Sequence, residues 1–116
     1  MIPAAVKIFV CTEPMDMRQG FDRLAHVVRA KLGEDPESGS LFVFSNRSAT
    51  RLKALWFDQN GYCVLYKRLH RAVFEWPLPN GSSSTIQINA SRLAELLRGV
   101  GRERRRGNRP RNDKAA

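Results

Sequence analysis

The sequence is poor in the residues that build metal centres and redox sites. It holds two cysteines, Cys11 and Cys63, and two histidines, His26 and His70, among 116 residues. It has no CxxC pair and no Cys/His spacing suited to zinc, so we predict no metal site and no cofactor. Both cysteines fall within apolar, strand-like runs, which predicts buried free thiols in a reducing cytoplasm.

Acidic residues and long apolar runs are also scarce. Eleven Asp and Glu stand against twenty Lys and Arg, and most acidic residues fall in caps, loops or turns, with no set able to gather divalent metal ions. No phosphate-cradling glycine loop or nucleophile elbow is present, so we predict no catalytic site. No run reaches the roughly 20 apolar residues of a membrane span, and the first ten residues lack a signal-peptide layout. We therefore expect a cytoplasmic protein without membrane contact.

The excess of positive charge is the strongest compositional feature. The formal net charge is +9, and residues 101–116 hold seven basic residues against two acidic ones, which is +5 of that total. Because this segment has no apolar periodicity, we predict a basic disordered tail at 101–116 after a single domain at 1–100. A tail that only aids solubility is the alternative to one that contacts nucleic-acid phosphate. The tail residues predicted to bind are Arg102, Arg104, Arg105 and Arg106.

Apolar patterning predicts an α+β domain with the order β-α-β-β-β-β-β-α. Hairpin-linked neighbours favour an antiparallel meander of five to six strands, with an N-terminal and a C-terminal helix packed on one face. The second helix starts at Asn89 or Ser91 and ends at Gly99. The predicted strands are 6–12, 41–44, 51–57, 62–69, 72–76 and 84–88.

The segment "PMDMRQGFDRLAHVV", residues 14–28, predicts a helix start. Asp16 as N-cap and Gln19 three residues later form a capping-box pattern, which places the helix at 17–32 with Gly33 as its terminator. Gly20 in the first turn costs about 1 kcal/mol relative to alanine. We therefore expect another backbone, or a phosphate at the positive helix end, to approach Gly20 closely.

The pair Asn60-Gly61 predicts a hairpin with a two-residue turn. In that register Lys53 faces Arg68 and Arg51 faces His70, and directly opposed like charges destabilise a sheet. One hypothesis is that phosphate offsets the repulsion, with Tyr62 and Tyr66 stacking on bases. The alternatives are that the cations extend into water or that Glu75 neutralises them.

Four blocks of the chain together resemble a known family. They are "MDMRQGFDRLAHVV", "LFVFSNRSATRLKALWFDQNGYCVLYKRL", "FEWP" and "INASRLAELLRGV", within about residues 6–100. They resemble the accessory protein encoded by the second open reading frame of insertion-sequence-66-type bacterial transposable elements, usually called TnpB. The chain departs from the family pattern at Gln19 (for Lys), Ser48 (for a basic residue) and Thr50 (for an acidic one). If the loop around Ser48 contacts a partner, that departure weakens the contact.

The resemblance implies a non-catalytic helper in DNA transposition that acts beside a separate transposase. The first hypothesis is an accessory factor that binds DNA, at the element ends or the target. The second is a subunit that docks on the transposase through Trp76 and the helix with Leu93, Leu96 and Leu97, without binding DNA; a small hydrolase or nuclease is a remote third. The oligomeric state is not predicted. The residues of the folded part predicted to contact DNA are Arg18, Arg47, Arg51, Lys53, Tyr66, Lys67 and Arg68.

Overall fold

The computed structural model describes residues 6–79 and 81–101. The basic tail predicted at 101–116 lies outside the described residues, apart from Gly101. Within the described residues, two helices and seven strands follow one another. They are β1 (Ile8–Cys11), α1 (Phe21–Val27, continued by a π-helical segment Val28–Leu32), β2 (Leu41–Ser45), β3 (Arg51–Asp58), β4 (Gly61–Arg68), β5 (Ala72–Val73), β6 (Thr85–Ile88), α2 (Ala90–Arg98) and β7 (Val100–Gly101).

The main sheet has five strands in the order β4-β3-β2-β1-β6, and β5 pairs separately with β7. The predicted α+β class is confirmed, but the sheet is not a pure antiparallel meander. Strand β1 pairs with β2 in parallel, with Ile8 beside Leu41, while the other pairings are antiparallel. A parallel pair needs a long crossover connection, and α1 supplies it between β1 and β2.

The central strands are buried on both faces, because side chains of β1 and β2 alternate between two apolar clusters. Ile8 and Val10 join a cluster with Leu93 and Leu96 of α2. Phe9 and Cys11 join a second cluster with the α1 side chains Leu24, Ala25, Val27, Val28 and Leu32. The two helices therefore cover opposite faces, and the predicted packing of both on one face is not observed.

Helix α1 begins four residues later than predicted. Its N-cap is Gly20, whose carbonyl accepts a hydrogen bond from the backbone N–H of Leu24 at 3.0 Å. Asp16 instead closes a short turn with Arg18, so the predicted capping box is wrong. No atom lies within 4 Å of the position that a Cβ on Gly20 would take. The expected close approach of another part of the chain is therefore absent from the described residues.

The β3–β4 hairpin turns at Gln59–Asn60, because Asp58 pairs with Gly61. Gln59 takes the left-handed conformation with φ +57°. The predicted turn at Asn60-Gly61 is thus wrong, and each β3 residue pairs with a β4 residue two positions earlier than predicted. Because this shift in register is even, each side chain stays on its predicted face of the sheet. Arg51 now faces Arg68, and Lys53 faces Tyr66.

The second helix follows its sequence pattern closely. The Asn89 side-chain oxygen accepts a hydrogen bond from the backbone N–H of Arg92 at 2.8 Å, so the predicted cap is confirmed. Gly99 ends the helix with φ +70°. The chain then pairs Val100 with Val73, which fixes the end of the described structure against β5.

Candidate nucleic-acid interface

The loop before α1 holds a compact ion pair. The Asp16 carboxylate accepts hydrogen bonds from the Arg18 backbone N–H (2.9 Å) and from the guanidinium Nε (3.0 Å) and Nη2 (2.7 Å). These bonds from Arg18, the side-chain ones first, lower the pKa of Asp16 to about 2. Arg18 reaches solvent, but its charge is balanced by Asp16, so it is not a free cation.

The turn between β2 and β3 is organised around Asn46. Its side-chain oxygen accepts hydrogen bonds from the backbone N–H groups of Thr50 (3.0 Å) and Arg51 (2.9 Å). Its amide nitrogen donates to the hydroxyls of Ser48 (3.2 Å) and Thr50 (3.1 Å). The side chain of Arg47, at the tip of this turn, is exposed to solvent.

One face of the hairpin gathers cations around an exposed tyrosine. The Arg51 guanidinium Nη1 donates to the Tyr66 hydroxyl at 3.1 Å, and Arg68 stands opposite Arg51 on the next strand. The Lys53 ammonium lies 5.0 Å from the centre of the Tyr66 ring. We call Arg51, Tyr66 and Arg68 on this face, together with Arg47 of the adjoining turn, the basic face.

Lys53 has a structural role beside this face. Its ammonium donates to the backbone carbonyl of Gln19 at 2.9 Å, so it ties the loop before α1 to β3. Because this bond and the contact with the Tyr66 ring engage the ammonium, Lys53 stabilises the position of Tyr66 in the basic face. Its charge also contributes to the low pKa of Asp16, as a smaller effect than Arg18.

The loop, the turn and the hairpin together line an open cleft of about 560 Å³. Hydroxyl and guanidinium groups on its walls can hydrogen-bond anionic oxygens, whereas the Asn46 amide already donates to Ser48 and Thr50. Asn46, Ser48 and Thr50 were not among the predicted site residues, although the polar run "SNRSAT" marks a turn rich in side chains that bond to the backbone. The residues that line the cleft are Met15, Asp16, Met17, Arg18, Asn46, Ser48, Thr50, Arg51 and Tyr66.

Other predicted contact residues do not join this site. The Lys67 ammonium donates to the backbone carbonyl of Leu97 at 2.8 Å, at the end of α2 and on the opposite face of the sheet. Tyr62 makes a T-shaped contact with Phe57, with ring centres 5.0 Å apart, and its hydroxyl donates to the Glu37 carboxylate at 3.4 Å, so it is engaged within the chain. Arg102, Arg104, Arg105 and Arg106 lie outside the described residues.

The basic face has no acidic partner in the part of the chain that the structure describes. The ion pairs found there join Arg18 to Asp16, Lys31 to Glu13 and Arg92 to Glu95. Glu75, a predicted neutralising residue, lies beyond the short strand β5. The positive charge of Arg51 and Arg68 is therefore compensated by no carboxylate among residues 6–79 and 81–101.

The described residues also bear on metal sites and membrane spans. Over 6–79 and 81–101, no three His, Cys, Asp or Glu side chains come together as a metal site would require. The same stretch contains no helix long and apolar enough to cross a bilayer. Both cysteines are free as predicted; Cys11 is buried, which raises the pKa of its thiol, whereas Cys63 is only half-buried.

Comparison with known proteins identifies relatives of the chain. A family model described as "IS66 Orf2 like protein" matches residues 6–107. Uncharacterized protein y4hO of Sinorhizobium fredii is 40% identical over 102 residues, covering 86% of this chain and 87% of the relative. Uncharacterized protein y4jC of the same organism is 33% identical over 72 residues, covering 62% of each chain. No solved structure matches.

Proposed function

Because the chain belongs to the IS66 Orf2-like family, a membership that supports an accessory role in transposition, we propose that it binds DNA through the basic face. The observation that carries this proposal is the direct opposition of Arg51 and Arg68 without a carboxylate partner in the described structure. Opposed residues on neighbouring antiparallel strands have Cα atoms only about 4.5–5.5 Å apart. Two arginine side chains that leave the sheet at directly opposed positions bring like charges near each other, and a phosphate bound by both would turn repulsion into attraction.

The surroundings of the two arginines favour a nucleic acid over a small anion. Arg47 extends the positive charge along the turn that leads into β3. Tyr66 is 50% exposed, so its ring can stack on an unpaired or displaced base, a contact worth about 1–3 kcal/mol for single strands. The hydroxyls of Ser48 and Thr50, which bond each other at 3.0 Å in the adjacent cleft, leave one hydroxyl proton for a phosphate oxygen.

The test measures binding of the full chain to DNA carrying the ends of the element, at two or more salt concentrations. The double variant Arg51→Gln/Arg68→Gln removes two charges from the basic face. We expect weaker binding and a slope of log K against log salt that is shallower by up to about 1.8, which is about 0.9 for each lost phosphate contact in a duplex.

The matched control is Lys7→Gln/Arg98→Gln, which removes the same charge from exposed positions away from the basic face. This control should bind nearly as the unaltered chain does. Equal losses in both double variants would show that only net charge matters, and unchanged binding in the Arg51/Arg68 variant would contradict the proposal. Lys53 is left intact because its bond to Gln19 makes its loss a structural change.

Docking on the transposase is a second candidate function, but through a different surface from the predicted one. Leu93 and Leu96 are buried in the core, and the Trp76 indole donates to the Cys11 carbonyl at 2.9 Å, so most of the predicted docking residues stabilise the fold. Leu78, between Pro77 and Pro79, is instead 81% exposed. If the full chain binds no DNA but retains the transposase, and Leu78→Ser abolishes that retention, docking is the better account.

A further inference from the structure

Strand β4 is a long sheet edge without the usual protection. It spans eight residues and borders only β3, so its outer side has no neighbouring strand in the described chain. Residues 61–66 contain no charged residue and no proline, and the pairing with β3 runs without a bulge from Gly61 to Arg68. Exposed edges of this kind readily accept another strand, which is why most proteins guard them with charges, prolines or bulges.

The hairpin geometry sets which backbone groups are free. In a two-residue hairpin the closing pair, here Asp58 and Gly61, is hydrogen-bonded, and bonded pairs alternate with non-bonded pairs along the ladder. The backbone N–H and C=O groups of Tyr62, Val64 and Tyr66 therefore point away from β3, towards the open edge. They form a regular row of donors and acceptors for an added strand.

The side chains near the middle of this edge are also exposed. Leu65 is 37% and Tyr66 50% exposed, two of the few large apolar side chains at the surface of the described structure. Lys67, the residue that would ordinarily protect an edge, directs its ammonium to the carbonyl of Leu97 instead. The only remaining charge on β4 is Arg68, at the last position of the strand.

We propose that β4 pairs in antiparallel orientation with β4 of a second copy of the chain, so that two five-stranded sheets join across a two-fold axis. In an antiparallel pair, directly opposed side chains share a face of the sheet. The two-fold axis must therefore pass midway between the two copies of one residue. Full overlap of the two strands makes that residue Val64 or Leu65. In either register Lys67 and Arg68 face uncharged residues of the partner, at its Asn60 to Cys63 end. A parallel pairing would set the cations of the two copies side by side.

This symmetry has a geometric consequence. Because the axis is perpendicular to the sheet, both copies turn the same face to the same side, and the two basic faces lie on one continuous surface. The proposed dimer depends only on the β4 edge, so its formation can be tested independently of DNA binding.

The first test is the mass of the full chain by sedimentation equilibrium over a wide concentration range. We expect a reversible monomer–dimer equilibrium that Val64→Pro shifts at least tenfold towards monomer. Proline removes the outward N–H of Val64, which bonds nothing within the copy, and edge strands tolerate proline at such positions. Circular dichroism checks that this variant keeps its fold.

The second test does not depend on how proline is tolerated. In a Cys63→Ser background, Val64→Cys and Leu65→Cys place a thiol at or next to the axis, and Gln87→Cys places one on the strand at the other edge of the sheet. Mild oxidation should link copies through position 64 or 65, since a disulfide needs Cα atoms about 4.4–6.8 Å apart, and should leave the Gln87 variant unlinked. A chain that stays monomeric to millimolar concentration, or a Gln87→Cys variant that cross-links as fast as the others, overturns the proposal.

Discussion

At the scale of single residues, Gly99 is the position with the least freedom to change. Its backbone, at φ +70° and ψ −179°, lies in a region open essentially to glycine alone. A Cβ there would lie 2.6 Å from Leu69 Cδ1 and 2.9 Å from the Val73 carbonyl oxygen. The turn from α2 into β7 therefore requires glycine for two separate reasons, conformation and space.

We expect Gly99→Ala to lower the free energy of unfolding by at least about 1–3 kcal/mol, as measured by urea denaturation. Gly61→Ala is the matched control, because Gly61 has no positive φ and nothing lies within 4 Å of its Cβ position. The control should change stability by only a few tenths of a kcal/mol. It also tests the hairpin, since a Gly61 in the predicted Asn60-Gly61 turn would need positive φ and resist substitution.

The Asp16–Arg18 pair makes a prediction about pH. Because the folded state holds the pKa of Asp16 at about 2, below its ordinary value near 3.9, the stabilisation is present above that value and is lost as the pH falls towards 2. Arg18→Gln removes the side-chain hydrogen bonds that lower the pKa of Asp16 most, so this pKa should rise towards its ordinary value. A carboxyl titration by NMR measures this.

The control for the titration is Lys31→Gln, on a separate ion pair. The Lys31 ammonium bonds the Glu13 carboxylate at 2.9 Å and lowers the pKa of Glu13. Its removal should raise the pKa of Glu13 and leave Asp16 unchanged. An Asp16 titration that does not respond to Arg18→Gln would show that the pair does not form in solution.

At the scale of elements, the β3–β4 turn carries a conformational cost. Gln59 adopts φ +57°, which costs a residue with a side chain about 1–2 kcal/mol, while glycine there loses about 0.5–1 kcal/mol of chain entropy. We therefore expect Gln59→Gly to stabilise the protein by roughly 0.5–1 kcal/mol in thermal or urea unfolding. Asn60→Gly is the control, because Asn60 has no positive φ, and should be neutral or destabilising.

Helix α2 is held on the sheet by two buried leucines, Leu93 and Leu96, of which Leu96 is the more deeply buried. Leu96 is almost fully buried against the sheet, whereas the neighbouring Leu97 is only partly covered. We expect Leu96→Ala to cost about 2–5 kcal/mol of unfolding free energy, and Leu97→Ala clearly less. Equal costs would contradict the observed placement of α2 on the face of Ile8 and Val10.

Local signals predicted most elements, and tertiary pairing decided the rest. The Asn89 cap and the β3–β4 hairpin follow from residues close in sequence. The parallel pairing of β1 with β2 does not, because it depends on where α1 places the returning chain. The continuous apolar run at 41–44 is typical of a strand buried on both faces, which agrees with the observed helices on opposite sides and conflicts with the prediction of both on one face.

The same division applies to the predicted contact residues. Alternation along β4 alone separates Lys67 from Tyr66 and Arg68, so sequence could assign the faces of the hairpin. It could not show that Asp16 neutralises Arg18, or that Lys53 bonds Gln19 across 34 positions. The cleft between the loop before α1 and the Asn46 turn likewise exists only once β1 and β2 are adjacent.

At the scale of the whole molecule, charge is unevenly shared between the domain and the last residues. Removal of residues 102–116 lowers the formal net charge from +9 to +4 and leaves the β5–β7 pairing through Gly101 intact. If the basic face binds DNA, the shortened chain should bind more weakly and with a shallower salt slope, yet still respond to Arg51→Gln/Arg68→Gln. Complete loss of binding on shortening would assign the contact to the removed segment.

The position of β1 in the sheet also governs when the protein can fold. Its outer neighbour is β6, so Ile8 is not enclosed until Ile88 pairs with it. Pairings between such distant parts of a chain form slowly, because a long loop must close first. During synthesis the edge of β1 that pairs with β6 therefore stays unpaired until nearly the whole domain has left the ribosome. A product that stops before Thr85 keeps that edge exposed and is prone to aggregate.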